Sequence, residues 1–99
     1  MITRDAVDAL IFRALEAINA ERAPDDQIAI SAETPLFGID AAPDSLEFVS
    51  LITDVELGMR ADLGADIRLA DDRAMSRPAS PYATVATLRD YILELAAEA

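Results

Sequence analysis

Pro43-Asp44-Ser45-Leu46-Glu47-Phe48-Val49-Ser50-Leu51-Ile52 decides how this chain is read, because it joins a loop rich in helix breakers to the best amphipathic segment in the sequence. Upstream stand Thr34-Pro35-Leu36-Phe37-Gly38 and Ala41-Ala42-Pro43; downstream a helical pattern runs from Leu46 to about Leu63. Asp44 is a good N-cap, since its side-chain oxygen can accept from the free backbone N–H groups of a first helical turn. Ser45 then falls in that first turn with its hydroxyl facing outward. At 100° per residue, Phe48, Leu51, Ile52, Val55 and Met59 cluster within about 100° of one another and form the expected core face. Leu46, Val49, Ser50, Thr53 and Leu57 lie on the opposite side. Glu47 and Asp54 flank that strip on one edge, Glu56 and Arg60 on the other. An apolar strip rimmed by charge reads as a docking surface; the alternative is that a neighbouring helix covers it.

Helical spacing also predicts a first helix from about Thr3 to Ala20, capped by Thr3, with Val7, Leu10, Ile11, Ala14 and Ile18 on one face. Between the two helices, Ala23-Pro24-Asp25-Asp26 is turn chemistry, and Pro35, Gly38 and Pro43 keep interrupting the chain. A loop this long is normally functional or tied down. Ile28, Ile30, Leu36 and Phe37 are the residues expected to pin it into the core. Beyond the second helix, Gly64 suits a helix C-terminus, and Ala65-Asp66-Ile67-Arg68-Leu69 reads as an apolar-anchored connector. A helical turn is expected within Ala70 to Met75, and a short helix after the cap-like Ser80-Pro81 pair. The last helix is predicted from about Thr84 to Ala97, with Val85, Leu88, Ile92, Leu95 and Ala96 as its stripe and Tyr91 at the border, hydroxyl in water.

Composition narrows the function. Ninety-nine residues, 53% of them apolar, make one small globular domain, 1–99. Nineteen acidic residues against eight basic ones give a net charge of −11. That argues against a nucleic-acid partner or an anionic membrane surface, and for a partner with a basic patch. The chain has no cysteine, histidine or lysine. A Cys nucleophile, a Ser-His-Asp triad and Schiff-base chemistry are therefore excluded, whatever Ser45 does. The paired carboxylates Asp25-Asp26 and Asp71-Asp72 read as solvated turns, and Asp40 to Asp44 lacks the ligand spacing and glycine of a calcium loop. No signal peptide or membrane span is legible, and a cytoplasmic, monomeric, non-enzymatic protein is expected.

With these residues in order, the chain resembles the acyl carrier and peptidyl carrier proteins. The resemblance rests on Asp44-Ser45-Leu46, on Leu36-Phe37-Gly38 ahead of it, on Leu63-Gly64 followed by Ile67, and on Tyr82-Ala83-Thr84-Val85 leading through Leu88 to Tyr91-Ile92. It implies an all-α four-helix bundle, three long helices and one short, with a long loop between the first two. It implies that Ser45 is the attachment point for 4′-phosphopantetheine, transferred from coenzyme A by a phosphopantetheinyl transferase. The thiol of that arm would hold an acyl or aminoacyl group as a thioester. Partner recognition would fall to Asp44, Leu46, Glu47, Val49, Ser50, Thr53, Glu56 and Leu57, facing an acyl- or aminoacyl-activating ligase, a synthase or a transferase with a basic docking patch. Ala42-Pro43 stands where the family more often has glycine, Ser50 and Thr53 stand where many fatty-acid carriers place carboxylate or methionine, and the segment from Gly64 to Thr84 is longer. These departures favour a specialised, free-standing carrier over a housekeeping one. The competing expectation is an acidic helical adaptor that is never modified and binds through its Leu46–Leu57 face.

Overall fold

Apolar residues at helical spacing form three α-helices: α1, Arg4–Asn19; α2, Ser45–Leu63; and α3, Val85–Glu98. The computed structural model describes residues 2–38, 41–69 and 82–98. Among them there is no strand, only an isolated bridge between Pro35 and Thr84, so the class is all-α. The helical turn expected within Ala70 to Met75 and the Ser80-Pro81 start of the expected short helix lie outside the described residues; the residues that follow, 82–84, form a turn and the bridge to Pro35 and not a helix.

Each helix begins where the local chemistry says it should. Thr3 accepts from Ala6 N at 3.1 Å and caps α1. Thr84 and Thr87 cap α3 reciprocally, with Thr84 N donating to Thr87 Oγ1 at 2.9 Å and Thr87 N to Thr84 Oγ1 at 3.3 Å. α2 ends at Gly64, whose φ of +67° is the left-handed conformation that a side chain disfavours.

α1 is the element on which both other helices pack. Val7, Leu10, Ile11, Ala14, Leu15 and Ile18 of α1 meet Leu51, Ile52, Val55 and Met59 of α2 and Val85, Leu88, Ile92 and Leu95 of α3 in one core. Ala65, Ile67 and Leu69 of the connector join them, alternating with exposed Asp66 and Arg68. Arg89 of α3 reaches Asp8 of α1 at 3.5 Å, an ion pair along the same seam. Tyr91 corrects the expectation of a wet hydroxyl at the stripe's border: the residue is 2% exposed. With Leu88, Ile92 and Leu95 it completes an i, i+3, i+4, i+7 set, which is the middle of a helical stripe and not its edge.

The α1–α2 loop is tied down largely by backbone and polar contacts. Asn19 clamps Ile28 at two points, Nδ2 donating to the Ile28 carbonyl at 3.0 Å and Oδ1 accepting from Ile28 N at 2.7 Å. Buried Thr34 donates to the Ala29 carbonyl at 2.6 Å and accepts from Ser31 N at 2.8 Å. The loop then supplies acceptors to the start of α3: Thr34 O takes Val85 N at 3.1 Å, and Ala32 O takes Ala86 N at 2.9 Å. These are first-turn N–H groups with no partner inside their own helix.

Of the four residues expected to pin this loop, Ile28 and Leu36 are buried and Ile30 is half-buried, but Phe37 is 56% exposed. The reason is directional. Leu36 N donates to Ala83 O at 2.9 Å beside the Pro35–Thr84 bridge, in locally extended backbone. Successive side chains there point to opposite sides, so with Leu36 turned inward Phe37 turns out.

Candidate functional site

The start of α2 is a capping box. Asp44 Oδ1 accepts from Glu47 N at 2.8 Å, and Glu47 Oε1 accepts from Asp44 N at 3.0 Å. Two otherwise unpaired donors are thereby satisfied, and the turn that carries Ser45 is fixed. The sequence placed Asp44 as the cap and Ser45 in the first turn, and both lie there. Ser45 is exposed, and its hydroxyl makes no hydrogen bond among the described residues. The Ser45 and Leu46 N–H groups also have no acceptor there, which leaves donors and the positive end of the α2 dipole beside the hydroxyl.

Arg22, just past the end of α1, was not singled out in the sequence, yet it holds this turn in place. Its Nη2 donates to Glu47 Oε1 at 2.6 Å and its Nε to Glu47 Oε2 at 3.1 Å, a bidentate pair. Nη2 also donates to the Ala42 carbonyl at 3.1 Å and Nη1 to the Asp26 carbonyl at 3.1 Å. One guanidinium thus joins the α1 exit, the loop before Asp44 and the α2 cap. The two side chains are only 17% and 24% exposed, so water screens this pair less than Arg13–Asp62, whose side chains are 65% and 47% exposed.

Arg22 is the main reason, and the Asp44 N–H the second, that the Glu47 carboxyl is held below its ordinary range. A lowered carboxylate pKa contributes stability that is complete above the unfolded-state value and is lost as pH falls through the folded one. The stability difference between wild type and Arg22→Ala should therefore be constant from neutral pH down to the ordinary carboxylate range and shrink below it, as Glu47 is protonated. Urea titrations over a pH series check this. A difference that persists unchanged in acid would place the role of Arg22 in its contacts to the Ala42 and Asp26 carbonyls.

The expected docking strip is open. Leu46, Val49 and Leu57 are 78%, 60% and 54% exposed, and Ser50 and Thr53 are exposed beside them. No described helix covers it. Thr53 turns its hydroxyl back to the Val49 carbonyl at 3.0 Å, which satisfies it within the helix. The rim is less simple than the helical wheel suggests. Glu47 is turned toward Arg22 and the cap, and Arg60 pairs with Asp66 at 3.0 Å. Asp54 and Glu56 make no ion pair among the described residues and supply the rim's available negative charge.

Beside Ser45 lies an open cleft of about 480 Å³, walled by Phe37, Ala41, Pro43, Phe48 and Val49, the last of which it shares with the strip. Phe37, Phe48 and Tyr82 form a ring cluster behind it: Phe37–Phe48 centroids lie 5.4 Å apart, Phe48–Tyr82 5.5 Å and Phe37–Tyr82 6.3 Å. The tilted and edge-on arrangements are those that aromatic quadrupoles favour. The Tyr82 hydroxyl donates to the Leu69 carbonyl, anchoring the cluster to the connector.

A comparison with family models, curated proteins and solved structures finds no match to the chain. Among the described residues no helix is long and apolar enough to cross a membrane.

Proposed function

We propose that the chain is an acyl or aminoacyl carrier protein, with Ser45 as the residue that takes a 4′-phosphopantetheine arm from coenzyme A. The observation that carries this reading is the exposed, unbonded Ser45 hydroxyl on the first turn of a helix whose cap is locked by Asp44, Glu47 and Arg22. A serine modified by another protein's active site needs that combination of access and rigidity. The residues around it also fit the group. The unpaired Ser45 and Leu46 N–H groups favour the phosphodiester, and no polar partner of Ser45 has to be displaced. The arm supplies the thiol that this cysteine-free chain lacks, and that thiol carries cargo as a thioester.

Ser45 Oγ attacks the phosphorus of coenzyme A that bears pantetheine. Its proton passes to the transferase, and the bond to the adenosine bisphosphate breaks. From then on the chain's own part is to present. The Leu46–Val49–Leu57 strip meets the transferase and later a ligase, synthase or acyltransferase. Asp54, Glu56 and the net charge of −11 favour a basic patch on each of them.

Incubation with coenzyme A, Mg²⁺ and a broad-specificity phosphopantetheinyl transferase should raise the intact mass by one phosphopantetheine. A chain that stays unmodified with several transferases would sink the carrier reading. The exposed strip would then favour an unmodified adaptor that binds a partner through its Leu46–Leu57 face.

A further inference from the structure

Packing within the fold accounts for only one side of Phe37, the one that meets Phe48 and Tyr82. It is a large apolar side chain, 56% exposed, next to Val49, which is 60% exposed. Exposed apolar side chains are ordinary when scattered. These two wall one cleft, and Ser45 is on the same wall. The backbone holds Phe37 there deliberately. Gly38 follows it at φ +110°, a conformation that side-chain-bearing residues rarely adopt. One side of the Phe37 ring is backed by Phe48 and Tyr82. It is a supported apolar surface with one side left open.

We propose that this cleft seats the root of the arm, specifically the branched gem-dimethyl segment that follows its phosphate, against Phe37 and Val49. The proposal rests on the carrier reading and extends it to a binding site for the arm on the chain itself. Reach selects the segment. Phe48 and Val49 stand within about one helical turn of Ser45, roughly 5 Å along the axis. Only atoms a few bonds from Oγ can lie beside them, and the first apolar ones are the two methyl groups on the quaternary carbon. Chemistry selects it as well. The walls are ring, proline, alanine and valine surface, and among the described residues that line the cleft the charged one is Asp44, whose carboxylate repels an anion. The phosphodiester therefore stays at the rim, beside the Ser45 and Leu46 N–H groups, while the methyls turn in. The amide-linked remainder and the thiol extend past the cleft. The site fixes the arm's direction of departure and does not select cargo.

The test uses the full chain carrying the arm, isolated after transferase treatment and verified by intact mass, so that the rate of attachment does not enter the readout. Proton–carbon NMR of the arm should show both gem-dimethyl signals moved upfield from their positions in free coenzyme A, the effect of a nearby ring face, with cross-relaxation to Phe37 and Val49 protons. Phe37→Leu in the arm-bearing chain should reduce the upfield displacement, leaving only what Phe48, the other ring on the cleft wall, contributes, while retaining cross-relaxation to Val49. Methyl signals at their free positions, with no cross-relaxation to either residue, would overturn the proposed seat and leave the carrier reading intact. A displacement left undiminished by Phe37→Leu would overturn it too, since the methyls would then not lie against Phe37. Failure to gain the arm at all is a different result and counts against the carrier reading.

Discussion

Ser45→Ala abolishes attachment of the arm and leaves the stability of the fold essentially unchanged: this is the expected result, and the structure supplies reasons for both halves. In the proposed carrier the hydroxyl oxygen is the atom to which phosphorus would bond, and no other group in the first turn can replace it. Leu46 has none, and Ser50, the next hydroxyl on this helix, lies more than a turn away on the outward strip. The stability half follows from what Ser45 does not do. It is exposed and bonds to nothing among the described residues, and the cap of α2 is Asp44, supported by Glu47. Serine and alanine differ by only about 0.5 kcal/mol in helix propensity even in a helix interior, so the exchange at the first position of α2 is close to neutral. Intact mass after transferase treatment and a thermal melt of the same sample check the two halves together. A variant that still gains one arm would move the site away from Ser45. A variant that loses the arm yet keeps its biological activity would favour the adaptor reading, in which the Leu46–Leu57 strip acts alone.

Features encoded within a few residues were legible, and features made by distant partners were not. The α1 stripe, the Thr3 and Asp44 caps and the Gly64 terminus are all local, because a helix end is a backbone problem solved by the residue next to it. Glu47 is an instructive intermediate. A wheel puts it at the edge of the docking strip, yet its carboxylate turns back to the cap. The Asp-x-x-Glu spacing of a capping box is the signal that would have found it. Phe37 failed for another reason: Leu36 and Phe37 are equally apolar, and hydropathy cannot say which of two neighbours in extended backbone turns inward. Arg22 offered no signal at all. Its carboxylate partner is 25 residues away, across a loop whose path is set by Asn19, Thr34 and the start of α3. The charge that locks the candidate site could be recognised only once α1 and α2 had been placed side by side.

Tyr91→Ala is the substitution expected to cost the fold most. The residue is 2% exposed, and it is the largest fully buried side chain among the described residues. It sits on α3 between Leu88 and Leu95, in the core that joins this helix to α1. α1 is the element that both α2 and α3 pack on, so a void here loosens the support of the helix that carries Ser45 as well as α3 itself. Truncating a buried aromatic ring to a methyl group loses transfer free energy and leaves a cavity, about 3–5 kcal/mol together. A domain of this size has a total stability of roughly 5–15 kcal/mol, and each kilocalorie is worth about 4–8 °C in melting temperature. The variant should therefore show a urea midpoint far below that of wild type. Tyr91→Phe, which keeps the ring, should lose much less. If both variants melt together with wild type, the ring is not a packing element. If both fall equally, the hydroxyl and not the ring carries the contribution. Removing the ring should also reduce the difference that Arg22→Ala makes, because the lock on α2 contributes only while α1 is held in its native place.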